Sequence, residues 1–98
     1  MNSLNGLQPW LRPYAAWLLS LYPAAVVTST YRSYSDQLRL WLTRSSNPYP
    51  VAPPGSSYHQ YGRAFDVDAP PQILAQLGQA WIRIGGTWHA SDRIHFQA

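Results

Sequence analysis

The segment 57–68 constrains this chain most, because it places a histidine and an aspartate seven positions apart across a glycine: His59 and Asp66. An imidazole and a carboxylate at this spacing are typical of a metal site. A catalytic zinc takes three protein ligands from His, Asp or Glu and keeps a fourth position for water. A third ligand must therefore come from elsewhere, and the C-terminal segment offers His95.

The end of the same segment predicts a strand. Apolar and acidic residues alternate over Ala64–Asp68, and successive side chains of a strand point to opposite faces. Asp66 is thereby aimed at one face, and Phe65 and Val67 at the other. Asp68 shares the face of Asp66, where it either orients a ligand histidine or caps the following helix.

A first helix is predicted to start at Pro9 or Pro13, which suit only a first helical turn, and to run to about Tyr22. Its apolar residues at helical spacing predict an inward face. That face comprises Trp10, Tyr14, Trp17, Leu18 and Leu21. The run 14–22 also resembles the apolar part of a signal peptide, but it is too short to span a bilayer and we favour the core helix.

Two further strands and a second helix follow from the remaining patterns. The β-branched run 25–30 predicts a strand, and residues 95–97 predict a final one. Ser33 and Asp36 form a start signal like a capping box for a helix over 36–44, which would put Arg32 in the preceding turn. The apolar stripe of this helix is Leu38, Trp41 and Leu42.

The last helix is predicted over 72–83, opened by Pro70 and Pro71 and ended by a pair of glycines. Its inward residues are Ile73, Leu74, Leu77 and Trp81. Residues 45–57 hold four of the nine prolines, which predicts an ordered loop, and residues 1–8 are expected to be a loose lead-in. The fold class is therefore α+β: one domain over 1–98, with a small antiparallel sheet of three to four strands, two or three helices on one face, and the metal site on the other.

Composition narrows the chemistry and the partners. The chain has no cysteine, which excludes disulfides, cysteine-ligated zinc and thiol catalysis. Its net charge is +3, from seven arginines dispersed along the chain and four aspartates. A dispersed excess suits an anionic polymer such as a cell wall, whereas nucleic-acid binders usually carry a clustered basic face. We expect no nucleic-acid partner and no membrane span.

Three motifs follow one another along the chain. The first is Ser-x-His-x-x-Gly-x-Ala-x-Asp over 57–66, the second is Gly-Gly-x-Trp over 85–88, and the third is Asp-x-x-His-Phe over 92–96. In this order they resemble the zinc D-alanyl-D-alanine carboxypeptidase and L-alanyl-D-glutamate endopeptidase family. The segment 30–37 also resembles the arginine segment of that family. The resemblance covers about residues 25 to 97, and it is strongest to the phage endolysins and bacterial wall hydrolases that cut the peptidoglycan stem.

The resemblance implies a role for each matching residue. His59, Asp66 and His95 would bind zinc. Asp92, three positions before the last histidine, would be the base that takes the proton from water and returns it to the leaving amine. Arg32 would hold the carbonyl oxygen as it becomes an oxyanion, unless Asp36 neutralises it in a structural ion pair.

Three more residues are assigned to the surroundings of the reacting bond. Ser57 and Gln37 match the family pattern and are expected to contact substrate or to support the site. His89 is the spare histidine, and it is expected at the rim of the site or as a substrate contact, with an ordinary exposed histidine as the alternative. Because residues three apart on a straight strand face opposite sides, Asp92 must lie in a turn or bulge to share a cavity with His95.

The expected function is zinc-dependent hydrolysis of an amide bond in the peptidoglycan stem peptide by a monomer. The Gly-Gly-x-Trp-x-x-x-Asp pattern over 85–92 resembles the endopeptidases of this family more than the carboxypeptidases, and this resemblance implies cleavage between L-alanine and D-glutamate. The alternatives are a D-alanyl-D-alanine carboxypeptidase and a wall-binding module that keeps zinc without turnover. The site of action would be the cell wall, reached by a phage lysin released from the cytoplasm or by an exported enzyme.

Overall fold

A computed structural model describes residues 3–98 of the chain, which fold as an α+β structure. The three helices are α1, α2 and α3, over Arg12–Ser20, Tyr34–Leu42 and Pro71–Arg83. The four strands are β1, β2, β3 and β4, over Val26–Ser29, Ala64–Asp68, Thr87–Trp88 and His95–Gln97. Among the described residues, no helix has the length and apolar character needed to cross a membrane.

The sheet has the strand order β1-β2-β4-β3, and each neighbouring pair is antiparallel. This confirms the predicted fold class. Phe65, Val67 and Phe96 point from the two central strands into the hydrophobic core, where all three are buried. The residues between them in sequence point to the opposite face, because strand side chains alternate. That face carries Asp66 and His95, whose Cα atoms are direct cross-strand partners.

Helix α3 covers the core face of the sheet as predicted. Its buried residues are Leu74, Leu77, Gly78 and Trp81, and Ile73 packs partly against them. The ring of Trp81 stands edge-on to Phe65, with a distance of 5.3 Å between ring centroids. A Cβ atom on Gly78 would come within 2.2 Å of the ring of Trp88, so this glycine allows the helix to approach β3 closely.

Helix α1 packs on the core with a different face from the predicted one. Leu11, Ala15 and Leu18 are buried, whereas the other members of the predicted face lie on the surface. Those exposed residues are Trp10, Tyr14, Trp17 and Leu21. The prediction was wrong because apolar side chains occur all round this helix, so periodicity alone did not select the face that meets the sheet.

Helix α2 also differs in its inward face, and it spans Tyr34–Leu42 instead of 36–44, although the start signal at Ser33 was predicted. The hydroxyl of Ser33 accepts a hydrogen bond from the amide of Asp36 at 3.1 Å, and thus caps the helix. However, Leu38 and Leu42 are exposed, and the buried residue of this helix is Gln37. Since α2 stands beside the polar face of the sheet, it turns an amide inward instead of an apolar stripe.

The N-terminal segment is ordered where it is described, contrary to the expectation of a loose lead-in. Residues 1 and 2 lie outside the described part, and Leu4–Gly6 form a 3-10 turn. Leu7 is buried in the core, and the amide of Gln8 donates to the carbonyl of Gly62 at 2.9 Å. This segment therefore supports the turn that leads from His59 into β2.

Candidate metal centre

His59 is presented by a short 3-10 turn, Tyr58–Tyr61, which precedes β2. The hydroxyl of Ser57 caps this turn by accepting a hydrogen bond from the amide of His59. Gly62 then ends the turn in the left-handed conformation at φ 64°, which glycine adopts without a Cβ penalty. The chain can therefore reverse and enter the sheet at Ala64, five positions after the histidine.

Asp66 and His95 come from the two central strands and meet His59 on the polar face of the sheet. Nε2 of His59 lies 3.1 Å from Oδ1 of Asp66, and Nδ1 of His95 lies 3.3 Å from the same oxygen. The three candidate ligand atoms all lie within 4.8 Å of one another. The structure thus brings together the three residues predicted to bind the metal.

The outer ring nitrogens of both histidines face oxygen atoms. Nδ1 of His59 lies 2.5 Å from the carbonyl oxygen of Thr30, and Nε2 of His95 lies 2.7 Å from Oε1 of Gln97. Because both oxygens only accept hydrogen bonds, each outer nitrogen must carry a proton. In the neutral rings, each inner nitrogen then points a lone pair at the carboxylate of Asp66. Two lone pairs and a carboxylate oxygen that converge in this way repel one another unless a cation lies between them. These three ligand atoms therefore fit a metal ion.

Electrostatics at the site agree with this arrangement. Burial alone would raise the pKa of Asp66, but in the absence of metal a proton on the inner nitrogen of His59 or His95 takes the place of the cation, and the resulting hydrogen bonds to the carboxylate outweigh burial and hold that pKa well below its ordinary value. Burial opposes the charged form of His95, yet the hydrogen bonds to Asp66 and Gln97 raise its pKa overall. The carboxylate is therefore ionised at neutral pH, which is the form that binds a metal.

Asp92 lines the same groove as the three candidate ligands. It ends a 3-10 turn, Ala90–Asp92, which departs from a straight strand as the shared cavity requires. Burial raises the pKa of Asp92, and the negative charge of Asp66 adds to this rise, while the His95 ring opposes it. An aspartate with a raised pKa beside a metal site is suited to move a proton.

Arg32 lies in the turn between β1 and α2, where its guanidinium makes three hydrogen bonds. One nitrogen donates to Oδ2 of Asp66 at 3.0 Å and to the hydroxyl of Ser29 at 3.2 Å, and the other donates to Oε1 of Gln37 at 3.0 Å. Among the described residues, these three bonds use three of the five N–H groups of Arg32. The other two remain for a ligand. Asp36 does not neutralise Arg32, because it pairs with Arg39.

Gln37 is fully enclosed, and both ends of its amide are used. Oε1 accepts from Arg32, and Nε2 donates to the carbonyl of Ala52 at 2.8 Å. Gln37 therefore joins the proline-rich loop to the guanidinium. Although it lines the groove, its amide is already occupied, so we assign it to the positioning of Arg32 rather than to substrate contact.

The groove around these residues has a volume of about 450 Å³. Members of the loop 45–57, residues 87–89 and Asp92 line it together with the candidate ligands. His89 is exposed and lines the groove, and its role at the rim or as a substrate contact remains a prediction. Asp68 is exposed at the end of β2 and lies outside the groove lining.

Two contributors were missed at the sequence level. Gln97 supports His95, and the signal available was its position two residues after a candidate ligand, where strand side chains share a face. The carbonyl of Thr30 supports His59, and a main-chain oxygen leaves no mark in the sequence.

Comparison with known proteins agrees with this geometry. A family model described as VanY, D-alanyl-D-alanine carboxypeptidase, matches residues 21–88. The matched segment includes Arg32, His59 and Asp66, and it ends before Asp92 and His95. No curated protein matches the chain.

Solved structures with about one fifth sequence identity share the fold. A mutant of the vancomycin-resistance D,D-pentapeptidase VanY from a VanB-type cassette, in complex with Zn(II), aligns with a TM-score of 0.71 at 20% identity, over 93% of this chain and 71% of that one. The L,D-carboxypeptidase DacB from Streptococcus pneumoniae aligns with a TM-score of 0.68 at 19% identity, over 95% of this chain and 66% of that one. The LD-carboxypeptidase LdcB aligns with a TM-score of 0.68 at 21% identity, over 97% of this chain and 68% of that one.

Proposed function

The chain belongs to the VanY D-alanyl-D-alanine carboxypeptidase family, and on that premise we propose that it is a zinc peptidase that hydrolyses an amide bond of the peptidoglycan stem peptide. The observation that carries the proposal is the convergence of His59 and His95 on one oxygen of Asp66, in a groove that also holds Asp92 and Arg32. The VanY structure with Zn(II) supports zinc as the metal. A zinc-binding module without turnover is disfavoured, because the family is enzymatic.

His59, Asp66 and His95 would hold the metal, which would polarise the scissile carbonyl and lower the pKa of a water molecule. Asp92 takes the proton of the attacking water and returns it to the leaving amine, which needs a carboxylate that changes protonation readily. The two free N–H groups of Arg32 stabilise the negative charge that develops on the carbonyl oxygen. No covalent enzyme intermediate is required.

The bond between L-alanine and D-glutamate is our first choice of cleavage site. Its sequence support is the Gly-Gly-x-Trp-x-x-x-Asp pattern over 85–92. Arg32 is the one guanidinium that lines the groove among the described residues, and it already contacts Asp66. If Arg32 serves the oxyanion, no arginine remains in the groove to bind the terminal carboxylate that a carboxypeptidase must recognise. An endopeptidase has no such requirement.

The second candidate is a carboxypeptidase that removes the terminal D-alanine. It is favoured by the description of the matching family and by the carboxypeptidases among the related structures. Both candidates use the same metal, base and arginine.

One digestion distinguishes the two candidates. Purified peptidoglycan is incubated with zinc-loaded protein, and the fragments are analysed by mass spectrometry. The endopeptidase releases new D-glutamate amino termini and leaves muramyl-L-alanine, with no gain of reducing sugar. Free D-alanine as the main product would establish the carboxypeptidase instead. The His95→Ala protein is the control: it should lose both zinc and activity, and full zinc content in it would refute the proposed ligand set.

A further inference from the structure

Gln97 lies on the same strand face as His95, two residues further along β4. Its side-chain oxygen is 2.7 Å from Nε2 of His95, on the side of the ring that faces away from Asp66. The ring is thus held between two oxygens, with Nδ1 3.3 Å from Oδ1 of Asp66.

The backbone of Gln97 is fixed from three directions. It pairs with Ala64 on one neighbouring strand and with Thr87 on the other. Its carbonyl also accepts a hydrogen bond from the indole of Trp81 at 2.9 Å. The Gln97 side chain therefore extends from a rigid point towards the histidine.

We propose that Gln97 is a positioning residue that keeps His95 protonated at Nε2 and aims its Nδ1 lone pair at the metal. A neutral imidazole carries one N–H, so an acceptor that holds the proton on one nitrogen leaves the other free to bind a metal. The inference rests on the proposed zinc site. His59 has the equivalent support from a main-chain carbonyl, which no side-chain substitution removes, so Gln97 is the substitutable support of the pair.

The test measures zinc affinity by competition with a coloured chelator. Gln97→Met removes the acceptor at similar side-chain length, and we expect it to bind zinc about 10- to 100-fold more weakly, as for other lost partners of a ligating histidine. Gln97→Glu keeps an acceptor oxygen and should restore most of the affinity. Gln79→Met, at an exposed position on α3, is the matched control and should bind as the parent does.

A second readout follows the proton itself. In nitrogen-15 spectra of the zinc-loaded parent, the Nε2 proton of His95 should be observed and protected from exchange with water. In Gln97→Met, that protection should be lost. The Nδ1 proton of His59, held by Thr30, should remain in both proteins and serves as an internal reference.

The outcomes separate this inference from the proposed function. A parent protein that binds no zinc would overturn the proposed site itself. If the parent binds zinc and Gln97→Met binds it as tightly, the role of Gln97 is overturned. Melting temperatures in excess chelator show whether Gln97→Met folds. If it does not fold, Gln97→Asn, which is one methylene too short to reach the ring, is measured instead, and affinity equal to that of the parent would overturn the inference equally.

Discussion

Asp92 differs from an ordinary surface aspartate because its surroundings favour the protonated carboxyl group. Burial and the Asp66 carboxylate raise its pKa in the fold, so the folded chain holds the Asp92 proton more tightly than the unfolded chain does. Ionised Asp92 therefore destabilises the metal-free fold above the raised pKa, and this penalty disappears as the pH falls below the ordinary aspartate value. The proposed mechanism requires the carboxylate in spite of this cost.

The first prediction concerns Asp92→Asn in two states of the protein. Without metal, the variant should have a higher free energy of unfolding than the parent at neutral pH, and the gain should vanish as the pH falls. Urea unfolding in excess chelator, at a series of pH values, measures this free energy.

In the presence of zinc, Asp92→Asn should keep its metal and lose about 10²- to 10⁴-fold in hydrolysis rate, the usual contribution of a general acid or base. Parental activity would show that Asp92 is not the base.

The second prediction separates the roles of Arg32 and Gln37. Arg32→Ala should keep zinc and lose about 10²- to 10³-fold in kcat, because the removed group acts on charge that develops in the transition state. Gln37→Leu removes the partner that orients the guanidinium, and should lower kcat by up to about 10²-fold. Steady-state kinetics on a stem peptide measure both, with Gln76→Leu, at an exposed position on α3, as control. If Gln37→Leu raised KM and left kcat unchanged, Gln37 would be a substrate contact.

At the scale of elements, α3 was readily predicted because its apolar residues occupy one face and prolines mark its start. Helix α1 is apolar on several faces, so its existence could be predicted but its orientation could not. Strand β3 has two residues, too few to show any alternation, and it forms only by pairing with β4. Sequence patterns therefore predicted the elements that are specified by their own residues. They missed a strand such as β3, which forms because of its neighbour in the sheet.

The third prediction tests the observed orientation of α1. Leu18→Ala should lower the free energy of unfolding by about 2 to 5 kcal/mol, because Leu18 is fully buried and its truncation leaves a cavity. Trp17→Ala, at the neighbouring exposed position, should change it by roughly 0.5 kcal/mol or less. Denaturant unfolding of both variants in the same buffer makes the comparison. A larger loss for Trp17→Ala would support the face predicted from sequence instead.

At the scale of the whole molecule, the site is assembled from segments far apart in sequence. Arg32 and Asp66 are 34 positions apart in sequence and form a hydrogen bond. Asp66 and His95 are paired on two neighbouring strands. The types of residue and their order in the sequence were enough to predict the candidate metal ligands. They also predicted the roles of Asp92 and Arg32. Contacts such as Gln37 to Ala52 and Gln97 to His95 depend on the completed fold, and the sequence does not show which amide lies where.

The fourth prediction is that zinc stabilises the entire fold. A chain of 98 residues buries a modest share of its surface, and here three ligands from separate segments converge on one point. A metal that binds the folded chain alone adds about 2.7 kcal/mol when its free concentration is 100 times Kd. For a domain of this size, that corresponds to a rise in Tm of about 10 to 20 °C. Calorimetry with buffered zinc and with chelator measures the difference.

His59→Ala is the control for this prediction. It should melt at the same temperature in both conditions, because it lacks one of three ligands. A parent Tm that is independent of zinc would show that the convergence of His59, Asp66 and His95 does not bind this metal.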